Sequence, residues 1–177
     1  MINLNEIKIR ELNTNDVQGF LELKKIGLST DPYSFLADLE DDSLDYPKEV
    51  EERIAKASIQ NGDIILGAFA DSLIGIVAVT RNRNKKRNHK ADLHGMYIKP
   101  EYRGIGLGKE LLNKVLAKAK KMAGIEEIEL IVASHNESVV GLYEKVGFSK
   151  TYFETHALKI DNKYIDAYHM KKEMRKE

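Results

Sequence analysis

The stretch from Met96 to Gly124, "MYIKPEYRGIGLGKELLNKVLAKAKKMAG", limits what this chain can fold into more than any other. An extended apolar segment stops at Pro100. Glycines then alternate at 104, 106 and 108, and a long helix begins with no Ser, Thr, Asp or Asn to cap it. Glycines between a strand and a helix let the backbone approach a ligand closely, and the first helical N–H groups, aided by the helix dipole, favour an anion there. A tight turn alone needs fewer glycines, so a phosphate-bearing ligand is expected. The spacing Gly-x-Gly-x-Gly fails the dinucleotide fingerprint. A Walker A loop fails too, because Arg103 stands where its first glycine belongs and Glu110 where its hydroxyl belongs.

The elements on either side follow from periodicity. "EIKIREL" alternates as a strand, and Val17, Phe20, Leu21 and Leu23 recur at helical spacing over Asn15 to Leu28, with Asn13, Thr14 or Asn15 as cap. "KEVEERIAKASIQNG" reads as a polar helix ended by Gly62, and "DIILGAFADSLIGIVAVTR" as two strands around Asp71-Ser72. Another strand runs from Lys90 to Ile98. The long helix, expected over Leu107 to Ala123, carries Leu107, Leu111, Leu112, Val115, Leu116, Ala119 and Met122 on one stripe. "IEEIELIVAS" is a strand, "NESVVGLYEKVGF" a short helix, and the last segment a hairpin about Asp161-Asn162. The predicted order is β-α-α-β-β-β-α-β-α-β-β, an α/β (α+β) mixed sheet with helices on both faces, in one domain over residues 1–177.

Composition removes several function classes. There is no cysteine, which excludes disulfides, thiolate metal sites and a cysteine nucleophile. Lys plus Arg equals Asp plus Glu at 28 each, so net charge argues for no partner. No secretory signal or membrane span is read in the sequence, and a soluble cytoplasmic protein is expected. Six cations crowd "RNRNKKRNHK", Arg81 to Lys90. With no interleaved aromatics, this reads as a solvated hairpin tip and no nucleic-acid partner is expected. Five acids crowd "DLEDDSLD", Asp38 to Asp45, either an exposed loop or a rim attracting cationic amines.

Arg103-x-x-Gly106-x-Gly108 after "MYIKPEY" resembles the pyrophosphate loop of the GNAT family of N-acetyltransferases. "NESVVGLYEKVGF" resembles a second landmark of that family, "N-x-x-A-x-x-L-Y-x-x-x-G-F", with Asn136, Tyr143, Gly147 and Phe148 in register. The resemblance covers nearly the whole chain. It implies a GNAT-like acyl-CoA N-acyltransferase fold, with a central, largely antiparallel sheet flanked by helices. The implied reaction is direct attack of a primary amine on acetyl-CoA in a ternary complex, with no metal. The acceptor would be a small amine, an amino acid or a peptide amino terminus.

The resemblance also assigns roles. Arg103, Gly104, Ile105, Gly106, Leu107, Gly108 and Lys109 would hold the pyrophosphate, Met96, Tyr97 and Ile98 would pair with the pantetheine arm and offer an oxyanion donor, and Asn136 would contact the same arm. Tyr143 would protonate the departing thiolate. Its place on one helical face with Val139 and Val146 is also what a core residue would show. Some relatives place a glutamate base where this chain has Ile131. His89, Asp92, His94 or a water chain are the substitutes, and simple alternation puts Asp92, His94, Met96 and Ile98 on one face. "DPYSF", "HKADLHGMYIKPEYRG" and "ALKIDNKYIDAYHM" resemble a branch of bacterial acetyltransferases and name no substrate. A non-catalytic acyl-CoA sensor is the alternative reading, and the closing hairpin leaves a homodimer open.

Overall fold

The computed structural model describes residues 2–32 and 47–175, so the acidic segment Asp38 to Asp45 and most of "DPYSF" lie outside the described residues. Among these residues seven strands and four α-helices follow in the predicted order: β1 (Lys8–Glu11), α1 (Val17–Thr30), α2 (Pro47–Lys56), β2 (Asp63–Phe69), β3 (Leu73–Arg81), β4 (Lys90–Ile98), α3 (Leu107–Ala119), β5 (Glu127–Ala133), α4 (Glu137–Lys145), β6 (Ser149–Ile160) and β7 (Lys163–Glu173). The strands form one sheet in the order β1-β2-β3-β4-β5-β7-β6. Every junction is antiparallel except β4 with β5, which α3 connects as a parallel crossover.

Each face of the sheet is covered for a reason visible in the side chains. Leu107, Leu111, Leu112, Val115, Leu116 and Ala119 of α3 are buried, as the stripe predicts, and pack with Val140 and Tyr143 of α4 against β2, β3, β4 and β5. Burying each such leucine contributes roughly 1.5–3 kcal/mol. On the opposite face Phe20, Leu21 and Leu23 of α1 and Val50 and Ile54 of α2 cover Ile65, Leu73, Ile76, Ala78 and Tyr97. That second cluster ends at β4. Strands β5, β7 and β6 carry no buried apolar partner from α1 or α2 on this side.

Local signals account for most helix ends. Asn13 caps a short 3-10 turn over Thr14–Asp16 that leads into α1, and Asp16 reaches back to the Asn13 N–H at 2.8 Å. Arg10 fixes that turn with a bidentate pair to Asp16, at 2.6 and 2.9 Å. The long helix stops at Ala119, short of the expected Ala123. Its last turn tightens into i to i+3 bonds, Lys121 N–H to Lys118 O and Met122 N–H to Ala119 O, and this swings Met122 into the core beyond the helix end. The closing hairpin turns on Asp161 and Asn162 at φ 47° and 63°, the left-handed pair of a type I′ turn.

The centre of the sheet does not stay closed. β4 and β5 pair only at Lys90–Glu127, Ala91–Ile128 and Asp92–Glu129. Three residues further along, at Gly95 (φ 61°), β4 bulges. Ile76 of β3 opposes Tyr97 and Ala78 opposes His94, so two steps on β3 match three on β4. A bulge adds local twist, and here it turns the rest of β4 away from β5. It also overturns the expected shared face. Ala91 and Leu93 point toward α3 together with Met96 and Ile98, whereas Asp92 and His94 take the face of Tyr97.

Candidate active site

Where β4 and β5 diverge they leave a cavity of about 540 Å³. Met96, Tyr97, Ile98, Arg103, Gly104, Gly106, Gly108, Lys109, Asn136 and Tyr143 all line it. Ten of the twelve residues singled out by sequence therefore surround one space. The other two differ: the Leu107 side chain is buried and Ile105 packs against the same core, which leaves only their backbone for a ligand. The sequence reading missed Asp31, Val132, Ala133, Ser138, Leu142 and Lys145, which line the cavity as well, together with Ile131, at the position where some relatives have a base, and Val139 beside Tyr143. The walls come from both sides of the sheet. Leu142 and Tyr143 belong to α4, while Ile131 and Asp31 stand on the opposite side, so the space passes through the splay.

At one end stands the start of α3. Gly106 occupies its cap position at φ 87°, with no side-chain cap bond, so the first turn presents amides that no carbonyl of the helix can satisfy. The left-handed conformation is why that position is glycine. Gly108 answers a different need. A Cβ there would lie 3.1 Å from Leu142 Cδ2 and 3.4 Å from Met96 Cε, so its absence lets α3 seat closely against α4 and β4. Arg103 is already engaged. Its Nε donates to the Ile98 carbonyl at 2.8 Å, Nη2 lies 3.7 Å from Asp31, and the guanidinium sits 5.4 Å from the Tyr97 ring centroid. It clamps the loop to the end of β4 as well as adding charge.

Tyr143 answers to both readings offered by its helix. The residue is 6% exposed and packs edge-on to Phe148 at 5.9 Å, as a core residue does. Tyr143 nevertheless lines the cavity, and its hydroxyl has Met96 Sδ, another lining residue, as a weak acceptor at 3.7 Å. Burial pushes the phenol well above its ordinary value, so it stays protonated and able to donate. Asn136 stands at the N-terminal cap of α4, its side-chain oxygen 3.3 Å from Ser138 Oγ.

The candidate bases separate. His89 lies just before β4, at the closed end, where its carbonyl accepts from Glu126 and Glu127; at about 3.3 Å per residue it is some 20 Å from Met96. Asp92 is raised by burial and by the neighbouring Glu129 carboxylate. His94 Nε2 lies 2.8 Å from Thr80 Oγ1, and that hydroxyl donates to Asp63 at 2.8 Å. Asp63 accepts only, so Thr80 must in turn accept the N–H of His94. Neither Asp92 nor His94 lines the cavity. The basic hairpin tip is partly neutralised: Arg87 pairs with Glu129, Lys90 with Glu127 and Glu129, and Arg81 donates to the Ala123 carbonyl.

Comparison with known proteins gives a concordant result. The model of the acetyltransferase (GNAT) family matches residues 30–148. Spermidine N(1)-acetyltransferase of Thermoplasma acidophilum is 33% identical over 153 residues, 80% of this chain and 88% of that protein. An uncharacterized N-acetyltransferase of Methanocaldococcus jannaschii is 33% identical over 79 residues, 44% of this chain, and the match spans only 34% of its length. An acetyltransferase of the GNAT family from Streptococcus pneumoniae superposes with a TM-score of 0.82 at 28% identity, covering 94% of this chain and 99% of that one.

Proposed function

The chain belongs to the GNAT acetyltransferase family, and from that membership we propose that it transfers the acetyl group of acetyl-CoA to a primary amine. The observation that carries this reading is the through-sheet cavity, with α3's uncapped amides at one end and Tyr143 in its wall. The pyrophosphate would rest on the amides of residues 104–109, where anion and helix dipole are matched. Among the described residues β4 beyond Asp92 has no strand partner on its β5 side, so the amide-bearing pantetheine arm can take the place of a strand beside Met96 to Ile98. Lys145, on α4's last turn, adds a cation to the cavity wall.

The chemistry follows from these placements. The acceptor enters from the Ile131 side as an ammonium ion, loses one proton through water, and attacks the thioester carbonyl carbon with its freed lone pair. An N–H of β4 near Met96 to Ile98 stabilises the resulting oxyanion; one such donor is commonly worth about 10²–10³ in rate. The C–S bond then breaks, Tyr143 gives its proton to the sulfur, and the second proton of the former amine replaces it. One amide, one CoA thiol and one released proton balance the step.

The test is thiol release from acetyl-CoA with free amino acids, diamines, amino sugars and peptides with free amino termini, with the acetylated product confirmed by mass. Acceleration by one class, with one thiol per N-acetyl product, is the expected result. Binding of acetyl-CoA with no acceleration by any acceptor would overturn transfer in favour of a sensor.

A further inference from the structure

From the half of the sheet that neither α1 nor α2 covers we infer that the acceptor is an α,ω-diamine or polyamine, and that Glu154 receives its second ammonium. The inference rests on the acetyl-transfer reading and gives it a substrate class. Register places Ile131 of β5 opposite His169 of β7, and His169 opposite Tyr152 of β6; Glu154 lies opposite Ala167, one row along on the same side. Phe153 pairs instead with Tyr168, which packs on the α3 face, so Tyr152 and Glu154 point the other way. This row begins at the cavity, because Ile131 is one of its walls.

Its surface has the chemistry of a short cationic chain. Ile131 is 42% exposed and Tyr152 is 61% exposed, which offers an apolar strip for methylenes. The Tyr152 ring lies 5.4 Å from His169, and Glu154 Oε2 lies 2.6 Å from His169 Nε2. That contact draws the carboxylate in over β7 and leaves it further acceptor positions. The cations nearby are committed elsewhere: Lys171 donates to Glu127 at 2.9 Å, and Lys90 and Arg87 are held by Glu127 and Glu129. A second ammonium therefore meets a carboxylate that, among the described residues, is paired with a histidine and with no lysine or arginine.

Spacing sets the length. With strands about 4.8 Å apart, a nitrogen in the β4–β5 gap lies roughly 7–9 Å from a carboxylate over β7. An extended alkyl chain advances about 1.25 Å per bond, so about four to six methylenes bridge that distance. Monoamines of the same length would fill the apolar strip and leave Glu154 unused.

The experiment compares 1,5-diaminopentane with n-pentylamine in the wild type and in Glu154→Gln, following thiol release at fixed acetyl-CoA and diamine binding by calorimetry in the presence of CoA. The wild type should prefer the diamine at least tenfold in kcat/KM. Glu154→Gln should remove that preference, leave n-pentylamine within about twofold, and leave the KM for acetyl-CoA unchanged. Equal loss for both amines, or no loss, overturns the subsite while acetyl transfer stands. Selective loss of diamine binding in a protein that acetylates neither amine sustains the subsite and overturns the reaction.

Discussion

Replacing Tyr143 by phenylalanine separates the two roles this residue can have, because the structure assigns them very different magnitudes. The ring is what packs: it meets Phe148 edge-on and belongs to the cluster beneath α3 and α4, and phenylalanine keeps all of that. Among the described residues the hydroxyl has only the Met96 sulfur, at 3.7 Å, so losing it should cost stability no more than about 1 kcal/mol. As the proton donor to the thiolate it would be worth about 10²–10⁴ in rate, or roughly 3–5 kcal/mol of barrier. Stopped thiol-release assays at saturating acetyl-CoA, with melting curves and acetyl-CoA titrations on the same samples, read the two quantities separately. The expected outcome is a kcat lower by at least a hundredfold, affinity for acetyl-CoA within about threefold, and a Tm within a few degrees. Burial raises the phenol above its ordinary value of about 10, so the donor remains protonated and the deficit should stay flat between about pH 6 and 9. A kcat within threefold of wild type would refute the proton-donor role and return Tyr143 to the core.

Two further perturbations probe the loop and the closed end of the sheet. Gly106→Ala forces a side chain into φ 87°, a strain of about 1–2 kcal/mol, with its Cβ in ordinary contact with Leu4 Cδ2 at 3.9 Å; the KM for acetyl-CoA should rise severalfold with kcat little changed, and an unchanged KM would count against the loop as the phosphate site. Glu127 is held down to about 2 from 4.5, first by the hydrogen bond from Lys90 and then by that from Lys171. A carboxylate depressed on folding stabilises above its unfolded value, so this contribution is full above about pH 4.5 and is lost as pH falls toward about 2. Lys90→Met should lower stability at neutral pH in urea titrations and converge with wild type near pH 2, whereas parallel curves at all pH values would contradict the pairing.

Much of this arrangement was legible in the sequence because it is written in local terms. The apolar stripe of α3, the Asp161-Asn162 turn and the cap at Asn13 each depend on residues within a few positions of one another, and the glycines and Tyr143 come together because strand, turn and helix follow in order. The bulge was not read, although an isolated glycine inside a strand is the usual sign of one. Gly95 reverses the faces of everything after it, so strict alternation mislabelled Met96 and Ile98. Arg103 shows a different limit. Its motif suggests phosphate contact, but its bonds to the Ile98 carbonyl and Asp31 depend on where α1 ends in space. Ile131 and Glu154 join one surface only through the register of three strands that no short window contains.

The central claim is that acetyl-CoA lies in the β4–β5 splay with its pyrophosphate on the first turn of α3. Amide NMR of the isotope-labelled protein titrated with acetyl-CoA tests it residue by residue. The predicted result is large shifts at Gly104, Gly106, Gly108 and Lys109, with further shifts at Met96 to Ile98 and Asn136, and little change at the basic tip from Arg81 to Lys90. Shifts centred on that tip or on the β6–β7 hairpin, with the glycine amides unmoved, would contradict it.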